Sequence, residues 1–161
     1  MTIAKGDTLP AATLLKLGEN GPEAVELASL TGGKRVVIFA VPGAFTPTCT
    51  KSHMPSFIET ADQYAAKGVD LVCVSVNDPF VTDAWAKSTG ADKAGITVLA
   101  DAEGAFTKAI GMDFTAPPAG LIGRSKRYAM LVEDGKIAAL HLEDNPGECS
   151  VSGGSSMLDE I

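Results

Sequence analysis

Cys49 closes the stretch Pro42-Gly-Ala-Phe-Thr-Pro-Thr-Cys49, which joins an apolar run to a helical pattern. Thr46 suits the N-cap of a helix, and Pro47 its first position. Cys49 then falls in the first turn. There, unpaired backbone N–H groups and the positive end of the helix dipole favour a thiolate, the nucleophilic and oxidisable form of cysteine. A cysteine in an arbitrary setting is a small buried hydrophobe. A cysteine behind a strand, a turn and a cap reads instead as a redox or nucleophilic centre. Open α/β sheets place their sites at the carboxyl ends of strands.

The other candidates are weaker. His53 lies four residues beyond Cys49 on the same helical face, and a Cys–His pair is the core of a cysteine hydrolase. The sequence marks no orienting third group and no oxyanion hole, so His53 reads as structural. Cys73 and Cys149 bring the cysteines to three. An odd, sparse set does not read as a disulfide framework. There is no CxxC pair, and His53 and His141 lie far apart in sequence, so no zinc site or other cofactor is expected. Gly32-Gly33-Lys34-Arg35 precedes a strand and lacks the GxxxxGK[ST] pattern of a phosphate loop.

The elements that position Cys49 are legible from patterning. Arg35–Val41 is a continuous apolar, β-branched run and reads as a strand buried on both faces. Thr48–Lys67 carries Met54, Phe57, Ile58, Ala61, Tyr64 and Ala65 at helical spacing, with a kink expected at Pro55. Val69–Val76 reads as a second buried strand. Asp78-Pro79 opens a helix bearing Val81, Ala84 and Trp85. Ile96–Ala100 and Glu103–Ile110 read as a short strand and a short helix. Tyr128–Val132 and Ile137–Leu142 flank Asp134-Gly135, a tight hairpin signal. Ser155–Ile161 ends the chain with a helical turn or two. The expected architecture is a single domain over residues 1–161, an α/β sandwich of thioredoxin-like type. A central mixed sheet is flanked by helices, with an N-terminal extension.

Bulk properties narrow the function classes. The chain has 161 residues, 45% of them hydrophobic, and a net charge of −7. Acidity argues against nucleic acid and against an anionic membrane face. The apolar runs are far shorter than the roughly 20 residues of a membrane span. The N-terminus MTIAKGDTLPAAT lacks a basic stretch followed by an apolar run, so a cytoplasmic location is expected.

The motif Pro42-x-x-x-Thr46-x-x-Cys49 resembles the active-site signature of peroxiredoxins. With Ser75-Val-Asn-Asp-Pro-Phe80 and Lys126-Arg-Tyr128, the whole chain resembles the type II, or peroxiredoxin-five, branch. The resemblance implies a thiol peroxidase acting on hydrogen peroxide and small alkyl hydroperoxides. It makes Cys49 the peroxidatic cysteine, oxidised to a sulfenic acid. Thr46 then sets its hydroxyl against sulfur and peroxide, Arg127 stabilises the charge, and Pro42 shields the site. Arg124 competes for the arginine's place, and family spacing favours Arg127. Three routes of resolution stay open: Cys149 in a late loop, Cys73 in a strand, or glutathione directly. The implied partners are a peroxide, a reductant (glutathione, glutaredoxin or thioredoxin) and a second copy in a homodimer. Phe45, Leu121 and Ile122 are candidates to contact an organic group. A thiol–disulfide relay is the other reading, disfavoured because Thr46 stands where a relay has its first cysteine.

Overall fold

The computed structural model describes residues 2–161. The chain opens with a hairpin of β1 (Thr13–Gly18) and β2 (Gly21–Glu26), followed by the short helix α1 (Leu27–Thr31). Next come β3 (Arg35–Val41), a turn of π-helix at Cys49–His53, α2 (Met54–Ala66), β4 (Val69–Ser75), α3 (Pro79–Thr89), β5 (Thr97–Ala100) and α4 (Ala105–Ala109). A small hairpin of β6 (Asp113–Ala116) and β7 (Leu121–Ser125) precedes β8 (Tyr128–Glu133), β9 (Lys136–Leu142) and α5 (Gly154–Leu158).

Seven strands form one mixed sheet in the order β2-β1-β5-β4-β3-β8-β9. The parallel trio β3, β4 and β5 lies at its centre, and β8 joins β3 antiparallel. This is the thioredoxin-like arrangement expected from the sequence. Central strands are covered on both faces, which explains their unbroken apolar runs. Alternate residues of β3 serve opposite cores. Val37, Phe39 and Val41 pack with α2 residues such as Phe57 and Tyr64, and with Trp85. Val36, Ile38 and Ala40 pack with Leu27, Phe106 and Met130. The hairpin between β8 and β9 turns at Asp134 (φ 48°) and Gly135 (φ 79°), both left-handed as a tight hairpin of this twist requires.

Two hairpins, β1–β2 and β6–β7, were not expected. Both are largely exposed or half-buried and carry polar residues and prolines, so they lack the alternation that marks a strand. The expected helix faces also need adjustment. Ala65 and Ala84 are exposed, and Thr60 and Thr82 take inward positions beside them. Among the described residues no helix is long and apolar enough to cross a membrane.

Candidate active site

The helix after β3 is irregular just ahead of Pro55. Pro55 has no N–H to give the Lys51 carbonyl, and its ring would crowd that oxygen. The backbone widens just ahead of it into the π turn, in which Met54 N–H donates to Cys49 O. Such wide turns recur at functional sites. Helical backbone begins at Pro47, and the first helical bond runs from Thr50 N–H to Thr46 O at 3.0 Å. The amides of Thr48 and Cys49 precede that bond, so Cys49 occupies the electropositive first turn. Thr46 stands at the N-cap position, but its hydroxyl caps no helix amide. It donates to Gly43 O at 2.7 Å instead, closing the active-site turn.

That turn is braced from outside. Phe45 is held in a left-handed conformation (φ 66°), which is strained for an aromatic residue. Asn77 accepts the Ala44 N–H at 3.0 Å, and its oxygen is in turn bonded by Ser75 Oγ. Trp85 Nε1 donates to Thr50 Oγ1 at 3.1 Å, tying α3 to the π turn.

Arg127 and Cys49 meet. Arg127 Nη2 donates to Cys49 Sγ at 3.0 Å, Nη1 contacts His53 Nδ1 at 2.9 Å, and Nε donates to Pro146 O at 2.9 Å. Every N–H of a guanidinium is a donor, so His53 Nδ1 must accept. Its Nε2–H then donates to Ser152 O at 2.9 Å. Arg127 thus requires the neutral ring, and Ser152 O places its one proton on Nε2. Burial first, and then the Arg127 charge, push the His53 pKa down to about 3. His53 is therefore no general base at neutral pH. It orients Arg127.

Arg127 is 1% exposed and Cys49 0%. A buried guanidinium is costly without an anion. Among the described residues no carboxylate forms an ion pair with Arg127, and its Nη2 is directed at the Cys49 sulfur instead. The sulfur itself is fully enclosed. Beside it, on the Thr46 and Arg127 side, lies a pocket of ≈ 560 Å³ whose lining includes Pro42, Thr46, Phe114, Leu121, Arg127 and Pro146. Leu121 is in that lining as expected, whereas Phe45 and Ile122 project outward, 54% and 62% exposed. Phe114 was missed, because it lies in the unrecognised β6. Arg124 is half-buried rather than solvated. Its Nη1 reaches Pro42 O at 3.4 Å, leaving the sulfur to Arg127.

The other two cysteines differ sharply. All three are free thiols. Cys73 is fully buried in mid-sheet, opposite Phe39 in β3 and Val98 in β5. Burial above all raises its pKa well above the ordinary value. Cys149 is half-buried in the loop between β9 and α5. Burial raises its thiol, with a Ser152 hydrogen bond and the Arg127 charge acting the other way. Glu143, unremarked in the sequence, lies 4% exposed at the base of this loop. Its carboxylate gathers five hydrogen bonds from Ser150, Val151 and Ser152. Burial raises its pKa, but these donors outweigh that and bring it to about 2. Among the described residues no cluster of His, Cys, Asp and Glu is arranged to hold a metal ion.

The chain is similar to proteins of one family along nearly its whole length. A family model described as Redoxin matches residues 4–158. Peroxiredoxin-2E-2, chloroplastic, from Oryza sativa subsp. japonica is 48% identical, over 99% of this chain and 73% of its own length. Peroxiredoxin-2C from the same organism is 45% identical, over 99% and 98% respectively. The crystal structure of reduced Prx3 from Vibrio vulnificus in complex with hydrogen peroxide superposes with a TM-score of 0.89 at 45% identity, covering 98% of each chain. The chain belongs to the Redoxin family, within its type II peroxiredoxin branch.

Proposed function

We propose that the chain is a thiol peroxidase that reduces hydrogen peroxide and small alkyl hydroperoxides through Cys49. The observation that carries this reading is the 3.0 Å contact between a buried guanidinium and the Cys49 sulfur. The thiolate attacks one peroxide oxygen. An S–O bond forms as the O–O bond breaks, sulfur loses two electrons, and the leaving alkoxide or hydroxide takes up a proton. Arg127 offsets charge on the sulfur and on the departing oxygen. Thr46 already donates its proton to Gly43 O, so its oxygen is left to accept the peroxide O–H. Pro42, buried in the pocket wall, brings no N–H and limits water.

Pocket size supports the wider substrate class. Hydrogen peroxide needs roughly the space of two waters, about 60 Å³. The ≈ 560 Å³ available leaves room for an organic group beside Phe114 and Leu121. Cys149 is the resolving thiol in this reading. It attacks the Cys49 sulfenic acid, forming a disulfide and releasing water, and glutathione, glutaredoxin or thioredoxin then restores both thiols. Such chemistry suits a reducing compartment such as the cytoplasm. Exposed Phe45 and Ile122, next in sequence to the pocket residues Thr46 and Leu121, offer apolar surface for a homodimer.

Stopped-flow mixing of the reduced chain with hydrogen peroxide and with an alkyl hydroperoxide is the direct test, followed by intact-mass analysis. One equivalent of peroxide is expected to yield a Cys49–Cys149 bridge. Glutathione on Cys49 without an internal bond would remove Cys149 from the scheme, and a chain inert to both peroxides would remove the activity.

A further inference from the structure

The active-site arginine is held by a loop, and residues 150–152 of that loop are gathered by one carboxylate, beside the bonds of Thr48 Oγ1 to Gly147 O and of His141 Nδ1 with Val151 O. Arg127 Nε donates to Pro146 O, and Nη1 to His53 Nδ1. His53 is oriented in turn by Ser152 O. Pro146 and Ser152 both belong to the segment that follows β9. At its base, Glu143 Oε2 accepts the amides of Ser150 (2.9 Å), Val151 (2.8 Å) and Ser152 (2.7 Å), and the Ser152 hydroxyl (2.6 Å). Glu143 Oε1 accepts the Ser150 hydroxyl (2.9 Å). Its own N–H donates to Arg127 O at 3.0 Å, so the clamp is anchored on the backbone of the arginine itself.

We propose that Glu143 is a positioning residue for the peroxidatic sulfur, acting through Ser152, His53 and Arg127. Only a carboxylate accepts from three consecutive amides and two hydroxyls at once. The resulting turn aims Ser152 O at His53 Nε2. That bond fixes the proton on Nε2 and leaves Nδ1 free to accept from the guanidinium. Without it the ring can carry its proton on Nδ1, facing Arg127 donor to donor, and the guanidinium is no longer pressed against sulfur. Glu143 touches neither sulfur nor substrate, and its effect is indirect.

This inference rests on Cys49 as the reactive thiol, so its test uses no peroxide. The rate at which iodoacetamide alkylates Cys49 is followed across pH by mass spectrometry of the Cys49 peptide. In Glu143→Gln the amide NH₂ replaces an acceptor and opposes the loop's donors. The profile is expected to move to higher pH by about one unit, a roughly tenfold slower alkylation at any pH below its midpoint. A merely structural Glu143 would lower the unfolding midpoint and leave the profile in place, and that result overturns the proposal. If Glu143→Gln does not fold, Ser150→Ala combined with Ser152→Ala decides. It keeps the carboxylate and the three amide bonds but loses both hydroxyl donors. A smaller shift in the same direction supports the relay, and an unmoved profile rejects it. Fast alkylation of Cys49 in a wild-type chain that does not consume peroxide would sink the peroxidase reading and leave the relay standing.

Discussion

Mild acid is expected to destabilise the folded chain through His53 alone. In the unfolded chain this imidazole takes up a proton near pH 6.5, and in the fold only near pH 3. Between those values the unfolded state binds one proton more, so stability falls as pH falls. Each unit costs about 1.4 kcal/mol. From pH 6.5 to 5 the loss is about 2 kcal/mol, and the full 3.5 units would reach about 5 kcal/mol. Against a typical total of about 5–15 kcal/mol this is a large share. For a chain of this length 2 kcal/mol lowers the melting temperature by roughly 4–8 °C. The cause is local. A protonated ring would aim Nδ1–H at Arg127 from 2.9 Å, inside a buried site. Glu143 does not confuse the reading, because its contribution is lost only below about pH 4.5. The assay is urea unfolding of the reduced chain from pH 7.5 to 5, for wild type and His53→Gln. The wild-type midpoint should fall in this window and that of His53→Gln should stay level. The same titration of His141→Gln separates the two histidines. A flat wild-type midpoint, or an equal slope in His53→Gln, would refute a neutral, proton-excluding His53.

Replacing Arg127 by Gln removes the counter-charge while keeping a donor. The rate constant for peroxide is expected to fall by about 10²–10³ in stopped flow, and a loss under threefold would contradict the role given to the guanidinium. At Gly154 a Cβ would collide with the Ser56 carbonyl and Thr60 Oγ1 where α5 packs on α2. Gly154→Ala should therefore cost about 1–3 kcal/mol in denaturant unfolding. Glu143 has a depressed pKa, so its stabilising effect is complete above about pH 4.5 and lost as pH falls towards about 2. Melting curves of wild type and Glu143→Gln should accordingly converge across that range, and a constant gap between them would contradict the buried carboxylate.

Much of the catalytic geometry was legible because it is local. Strand β3, the turn, Thr46, Pro47 and Cys49 are consecutive, and their types carry physical meaning within a dozen residues. The arginine was legible only through resemblance, since no local pattern ties position 127 to position 49. The contact exists because β8 pairs with β3 in a register that sets Tyr128 opposite Ala40, delivering Arg127 to the carboxyl end of β3. Glu143 was invisible for a different reason. An acidic pair after a strand, Glu143-Asp144, reads as solvated charge, and what makes Glu143 a clamp is a backbone turn seven to nine residues later. The wide turn at Cys49 was half legible. Pro55 forecasts a disturbance, but only packing decides whether the helix bends or widens.

The bond that sets the Cys49 sulfur against Arg127 also holds it away from a partner thiol. Capture of a Cys49 sulfenic acid by another cysteine must draw the sulfur from Arg127 and open the first helical turn. The segments that give way are short: the π turn, with its one Trp85 tether, and the loop from Glu143 to Gly153. Cys149 lies within that loop, so its approach breaks loop contacts and leaves the sheet intact. Cys73 offers no such path. It is flanked by ladder pairs to both β3 and β5, and moving it means parting the central strands, the last region expected to open in a native fold. That asymmetry is why we assign resolution to Cys149. It also sets a condition on the clamp: Glu143 must hold Ser150–Ser152 firmly enough to aim Arg127, yet the residues on its Cys149 side must yield once the sulfur is oxidised. Cys149 stands immediately ahead of the first clamped amide, Ser150, at the boundary between the part of the loop that aims and the part that moves.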